Sequence, residues 1–281
     1  MNNKTTSEKM FKGSYDLAVP FEINKVRDEH KRKKLETILN KLKNGISKLR
    51  CSDAEVLLAK YNHNKDSKDI DNVLFYNIRY ASFNNIDPKR VILIRNFDFN
   101  EHEYSYEIIE TAKADLISAM KELLWEFSNA EFREIKEMRP EVFWLAIKNA
   151  KITKKYQGIY QGKFGVKLEL SCPKQKFKLI NKIKPIFDGV ISVLNFQEEK
   201  IPCEELRKRI KDSTEQDLLE EQLCGLVKEK KNSLLGLHTG LLKKHGNGLQ
   251  WQPKDDQCIC MEISIKHSDR WSLSGKVFSV E

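Results

Sequence analysis

An α+β fold, with a mixed β-sheet packed against several helices, is what this sequence predicts, and three observations carry the prediction. Hydrophobic residues occupy 40% of the 281 positions, enough to build a sizeable core. Short runs of alternating or β-branched residues recur at 15–23, 90–99, 166–170, 258–268 and 271–281. Between them lie stretches with apolar residues three or four apart, so helices and strands are interleaved.

After a polar leader over 1–14, residues 15–23 suit a strand, with Pro20 favouring an edge or a bulge. Val26, Leu35, Ile38, Leu39, Leu42 and Ile46 keep near-helical spacing, and the Lys and Arg between them form an outer face; Gly45 weakens the end. Residues 52–61 carry a helix-start signature, Ser52 or Asp53 with Glu55, while Val56 to Leu58 would also suit a strand. The short run 73–76, preceded by Asp69 and Asp71, predicts a strand, and 90–99 a second one after the Asp87-Pro88 turn.

Residues 103–136 hold the longest helical pattern, with Ile108, Ala112, Leu116, Ala119, Leu123 and Phe127, and Pro140 closes it or opens a helix over 142–147. The glycines at 158–165 make a turn without the spacing of a phosphate loop. Residues 174–196 predict a helix restarted at Pro185, 198–231 a charged helical region and 233–248 a glycine-punctuated loop. The last two strands, joined across Ser268-Asp269, suit a hairpin. The division this suggests is an N-terminal α+β part over 15–157 and a C-terminal α+β part over 158–281 with a helical insertion over 197–250, or one continuous domain.

The net charge is +9, and the excess is concentrated. Residues 25–50 hold ten Lys or Arg against three acids, and 148–184 eleven Lys against Glu169 alone. Such stretches favour a polyanion, because each neutralised phosphate releases counterions; solvated helix faces explain the first stretch equally well. In the second, Lys154, Lys155, Lys163, Lys174, Lys176 and Lys178 are interleaved with Tyr156 and Tyr160, which suits phosphate contacts combined with base stacking. The expected partner is nucleic acid, DNA ahead of RNA.

Six cysteines without a CxxC pair suggest reduced thiols in a cytoplasmic protein, and Cys258 with Cys260 suits a strand face better than a nucleophile. The N-terminus lacks the apolar core of a signal peptide, and no apolar run reaches a membrane span of about 20 residues. The six histidines are scattered without a zinc spacing, and no GxSxG elbow is present.

Two stretches can carry chemistry. Around Pro185, apolar residues point in nearly all directions and leave one polar stripe, Lys184, Asp188, Ser192 and Asn195. A carboxylate there needs a partner, whether a metal ion, Lys184 or the helix N-terminus. Later, Asp255 and Asp256 open the strand that begins at Cys258.

Lys184-Pro185-x-x-Asp188 running into an apolar helix, then Asp255-Asp256 opening a strand with Ile259, Met261 and Ile263, resembles the RusA-type Holliday-junction resolvases. The resemblance covers about a quarter of the chain. It implies a metal-dependent endonuclease with catalytic Asp188, Asp255, Asp256 and Lys184, in which carboxylates hold Mg²⁺ against a DNA phosphate. The family has an Asp two residues before the helix Asp and an Asn directly after it; here Ile186 and Gly189 stand in those places, and a longer connection precedes Asp255. Asp69 and Asp71, in a D-x-D-N string, copy the missing acidic pattern, so the expected metal set is Asp188 and Asp256 with Asp69 and Asp71. The alternatives are a non-catalytic nucleic-acid-binding or assembly protein of a mobile element or phage-defence system, and a protein-interaction subunit. A homodimer or hetero-complex fits any of these.

Overall fold

The structure is a computed structural model that describes residues 8–64, 69–117, 121–133, 138–173, 177–246 and 248–280. In chain order its elements are β1 (Met10–Tyr15), α1 (Glu29–Ser47), β2 (Glu55–Asn62), β3 (Arg90–Asn96), β4 (His102–Glu110), α2 (Thr111–Ile117), β5 (Leu123–Glu131), α3 (Pro140–Lys148), β6 (Lys151–Lys154) and β7 (Phe164–Cys172). There follow α4 (Ile183–Val193), β8 (Asn195–Phe196), α5 (Cys203–Thr214), α6 (Glu220–Lys228), β9 (Gly236–Leu237), β10 (Leu242–His245), β11 (Gly248–Trp251), β12 (Cys258–His267) and β13 (Ser272–Ser279). Nine strands form one mixed sheet in the order β1-β4-β2-β3-β12-β7-β13-β5-β6, so the fold is α+β.

The chain divides into two units, the first comprising Met1–Ala119, Lys178–Asn181 and Cys258–Ser264. In this unit β2 runs parallel to β3 and antiparallel to β4, and β1 and β12 pair antiparallel with β4 and β3. Val56, Leu58, Ile92, Ile109 and Ala114 form one apolar cluster on the sheet. α1 buries Leu35, Ile38, Leu39, Leu42 and Ile46 of the expected stripe, whereas Val26 lies before the helix and is half-buried; Asp28 caps α1 by accepting from the Lys31 amide at 2.9 Å. Gly45 lies directly under the Phe11 ring, where no Cβ fits, so the helix keeps a residue of low propensity to let β1 approach.

The second unit comprises Met120–Phe177, Lys182–Gln257 and Ile265–Glu281. Here β13 pairs antiparallel with both β7 and β5, and β6 adds to β5. α4 packs on α3 at close range: a Cβ on Gly189 would lie 2.6 Å from the Pro140 carbonyl oxygen and 2.8 Å from the Phe143 Cβ. Glu141 on α3 is fully buried, where it accepts from Trp251 Nε1 at 3.2 Å and Ser213 Oγ at 3.4 Å and lies 3.8 Å from the Arg209 guanidinium. This carboxylate ties α3, α5 and β11 together, satisfying a buried charge that would otherwise be costly.

Several expectations change. The 103–136 helix is instead β4, α2 and β5, because Tyr104, Tyr106 and Ile108 pack as sheet residues and the aromatic, β-branched run favours a strand over the coincidental three-to-four spacing. The 73–76 strand is a π-helical turn, Asn72–Tyr76, with the Asn77 amide bonded to the Asn72 carbonyl at 2.8 Å. Residues 15–23 leave the sheet after Tyr15, and 52–61 resolves as β2. β12 and β13 are not hairpin partners, since β7 lies between them.

Cys203 and Cys224 are joined as a disulfide between α5 and α6, which overturns the reduced-thiol reading for that pair; Cys51, Cys172, Cys258 and Cys260 are free thiols. Among the described residues no helix is long and apolar enough to cross a membrane.

Candidate functional site

Asp69 and Asp71 are presented by the start of the π-helical turn. The Val73 amide bonds to the Asp69 carbonyl at 3.1 Å, and Asn72 Nδ2 donates to Asp69 Oδ2 at 2.5 Å. Ile70, Val73, Leu74 and Phe75 are buried at 1% exposure or less, and Tyr106 Oη donates to the Leu74 carbonyl at 2.7 Å. The apolar side of the turn is thereby locked into the core, which holds its acidic start in place. Asp71 is 2% exposed and Asp69 is half-buried.

Asp255 lies in the turn that follows β11. Its amide bonds to the Pro253 carbonyl at 3.0 Å, and the turn is held by Trp251 through Glu141 and by the Gln257 carbonyl, which accepts from the Phe164 amide at 3.0 Å. Asp255 is 7% exposed, whereas Asp256 beside it is exposed.

One carboxylate oxygen from each of Asp69, Asp71 and Asp255 lies within 4.8 Å of the others, a grouping that can hold a metal ion. Three hard oxygen donors fit Mg²⁺, Mn²⁺ or Ca²⁺ rather than a soft thiolate-seeking metal. Asp188 and Asp256 stand outside this grouping. Asp188 is buried on α4 at 8% exposure, and Lys184, one turn earlier, donates to its Oδ1 at 3.2 Å. The polar stripe read from the sequence is real: Lys184 and Asp188 interact, Ser192 is fully buried, and Asn195 Nδ2 donates to the Ile191 carbonyl at 3.0 Å.

The residues expected to touch nucleic acid take different positions. Lys154 is half-buried and its ammonium donates to the Gly158 and Ser233 carbonyls at 2.7 and 2.6 Å, with burial lowering its pKa. Lys155 is exposed and 3.9 Å from Glu126, and Lys163 and Lys178 are also exposed. Tyr156 and Tyr160 meet edge to face at 5.3 Å, and Tyr160 Oη donates to the Lys163 carbonyl at 3.1 Å. Burial raises the Tyr160 pKa. Lys174 and Lys176 lie outside the described residues. Lys148, the first lysine of that basic stretch, has a fully buried side chain paired with Glu229 at 3.1 Å and so presents no charge to solvent.

Compared with family models, curated proteins and solved structures, the chain matches none.

Proposed function

We propose that this chain binds nucleic acid and cleaves its phosphodiester bonds with a divalent cation, Mg²⁺ by donor chemistry, held by Asp69, Asp71 and Asp255. The observation that carries the reading is the close approach of these three carboxylates. A divalent cation bound by carboxylates and waters polarises a phosphoryl oxygen and lowers the pKa of an attacking water. Asp71 and Asp255, both nearly inaccessible to solvent, would supply fixed donors, and Asp69 is steadied by Asn72. Exposed Lys155, Lys163 and Lys178 would contribute phosphate contacts that position the strand without reading its sequence.

This ligand set differs from the one the RusA resemblance implies, in which Asp188 is a ligand. Within the proposal, Asp188 and Lys184 serve α4 and the metal falls to the D-x-D-N string with Asp255. A RusA-like endonuclease acting on branched DNA remains the sharpest form of the reading.

The test is cleavage of branched DNA, linear DNA and RNA in Mg²⁺ and in EDTA by the wild type, Asp71→Asn and Asp255→Asn. Mg²⁺-dependent cleavage that falls at least about 100-fold in both variants supports the proposal, the scale expected when several kcal/mol of charge stabilisation is lost. Salt-sensitive binding with no cleavage by the wild type leaves a non-catalytic binder and removes the enzyme.

A further inference from the structure

Directly beyond Asp71 the chain builds an aromatic pile that the metal reading does not use. Phe21 and Tyr76 stack with centroids 4.1 Å apart and planes 13° apart, and the Arg79 guanidinium carbon lies 4.3 Å from the Phe21 centroid. A parallel ring and a guanidinium at those distances occupy opposite faces of Phe21, so the phenyl ring is the middle layer of three. Tyr80 meets Tyr76 edge-on at 6.1 Å. All four side chains are half-buried and therefore part of the surface.

The pile is anchored. Arg79 Nη2 donates to the Phe21 carbonyl at 2.8 Å, and Asn77 Nδ2 donates to the Val19 carbonyl at 2.9 Å. Arg79 holds a backbone φ of 79°, a conformation that side chains other than glycine rarely adopt. Its neighbour Ile78 is fully buried, which keeps that geometry in place. Because the turn closes between Asn72 and Asn77, Tyr76 stands about one turn from Asp71.

The neighbouring helix carries unpaired cations. α1 packs against the 3-10 turns Ile23–Lys25 and Tyr80–Phe83. Arg27 before the helix and Lys31 and Lys41 on it are exposed and make no ion pair among the described residues.

We propose that the Arg79–Phe21–Tyr76 pile is a stacking platform for an unpaired nucleobase. The outer faces of Tyr76 and of the guanidinium offer π and cation–π surface, and the free cations of the 25–50 stretch offer phosphate contacts. The ligand class is a single-stranded segment or unpaired end, taken beside the acidic residues. This rests on the nucleic-acid reading above and adds the strand state that the protein prefers.

The experiment is fluorescence anisotropy of a labelled single-stranded DNA and a blunt duplex of equal length, in EDTA at fixed salt, with the full chain. Tyr76→Ala is expected to weaken single-strand binding about 5- to 100-fold, the range of base–aromatic stacking, while duplex binding stays within about twofold. Tyr76→Phe, which keeps the ring face, is expected to bind as the wild type does. Should Tyr76→Ala fail to fold, Tyr76→Leu replaces it, with the same expectation. Equal losses on both DNAs, no loss, or an equal loss in Tyr76→Phe would overturn the platform. If the wild type binds neither DNA, platform and proposed function fall together; if it cleaves nucleic acid but Tyr76→Ala is unchanged, only the platform falls.

Discussion

Lys184 and Asp188 lie one turn apart on α4 and close an ion pair of 3.2 Å, so the carboxylate on that helix draws a cation from its own helix. Their side chains are 25% and 12% exposed, which places the pair between a solvated ion pair and a buried one. Asp188→Asn should lower stability by about 1 kcal/mol and leave divalent-cation binding intact. Urea denaturation with a parallel metal titration checks both, and loss of metal binding would return Asp188 to the ligand set.

Gly189 follows from packing. Its position 2.6 Å from the Pro140 carbonyl, measured to an added Cβ, leaves no room between α3 and α4. Gly189→Ala should destabilise by about 1–3 kcal/mol through forced separation of the helices. A larger side chain should do worse at this place, so Gly189→Asn is expected to lower the urea midpoint further than Gly189→Ala.

Burial lowers the pKa of the Lys148 ammonium below the ordinary lysine range, against the opposing pull of Glu229. Between the lowered and the ordinary value the folded state binds fewer protons than the unfolded state, so stability rises with pH across that interval. Below it the ammonium is charged in both states and its desolvation is a constant cost. The wild type should therefore gain stability relative to Lys148→Met as pH climbs from neutral towards the ordinary lysine range. Parallel pH profiles for the two proteins would contradict this.

The Cys203–Cys224 disulfide spans 21 residues of sequence and joins two helices that are also tied by the Arg207–Glu220 ion pair and, near the connection, by Arg207–Asp217 and Lys211–Asp217. Cross-linking a loop of that length restricts the unfolded chain by about 3 kcal/mol. Reduction should lower the urea midpoint of the wild type and leave the Cys203→Ser variant unaffected.

The sequence reveals most where the periodicity is long and the buried face is continuous, as in α1 and α4, or where a short apolar run is rich in β-branched residues, as Val91, Ile92 and Ile94 are in β3. It misleads over 103–131, where Ile108 and Ala112 are three or four apart by coincidence and sheet packing decides the outcome. Asp69 and Asp71 are visible as candidates because an acidic D-x-D-N string has few local uses. The choice of Asp255 over Asp256 is not visible, since adjacent acids differ only in which one the turn buries. The Phe21–Tyr76 stack also escapes sequence reading; its one signal is a pair of aromatics beside Pro20 and just after the acidic string.

Calorimetric titration of the full chain with Mn²⁺ tests most directly whether Asp69, Asp71 and Asp255 bind one divalent cation. A single site is expected in the wild type and in Asp188→Asn, with that site lost in Asp71→Asn and in Asp255→Asn. Wild-type affinity in both of the latter variants, or no binding by the folded wild type, would contradict it.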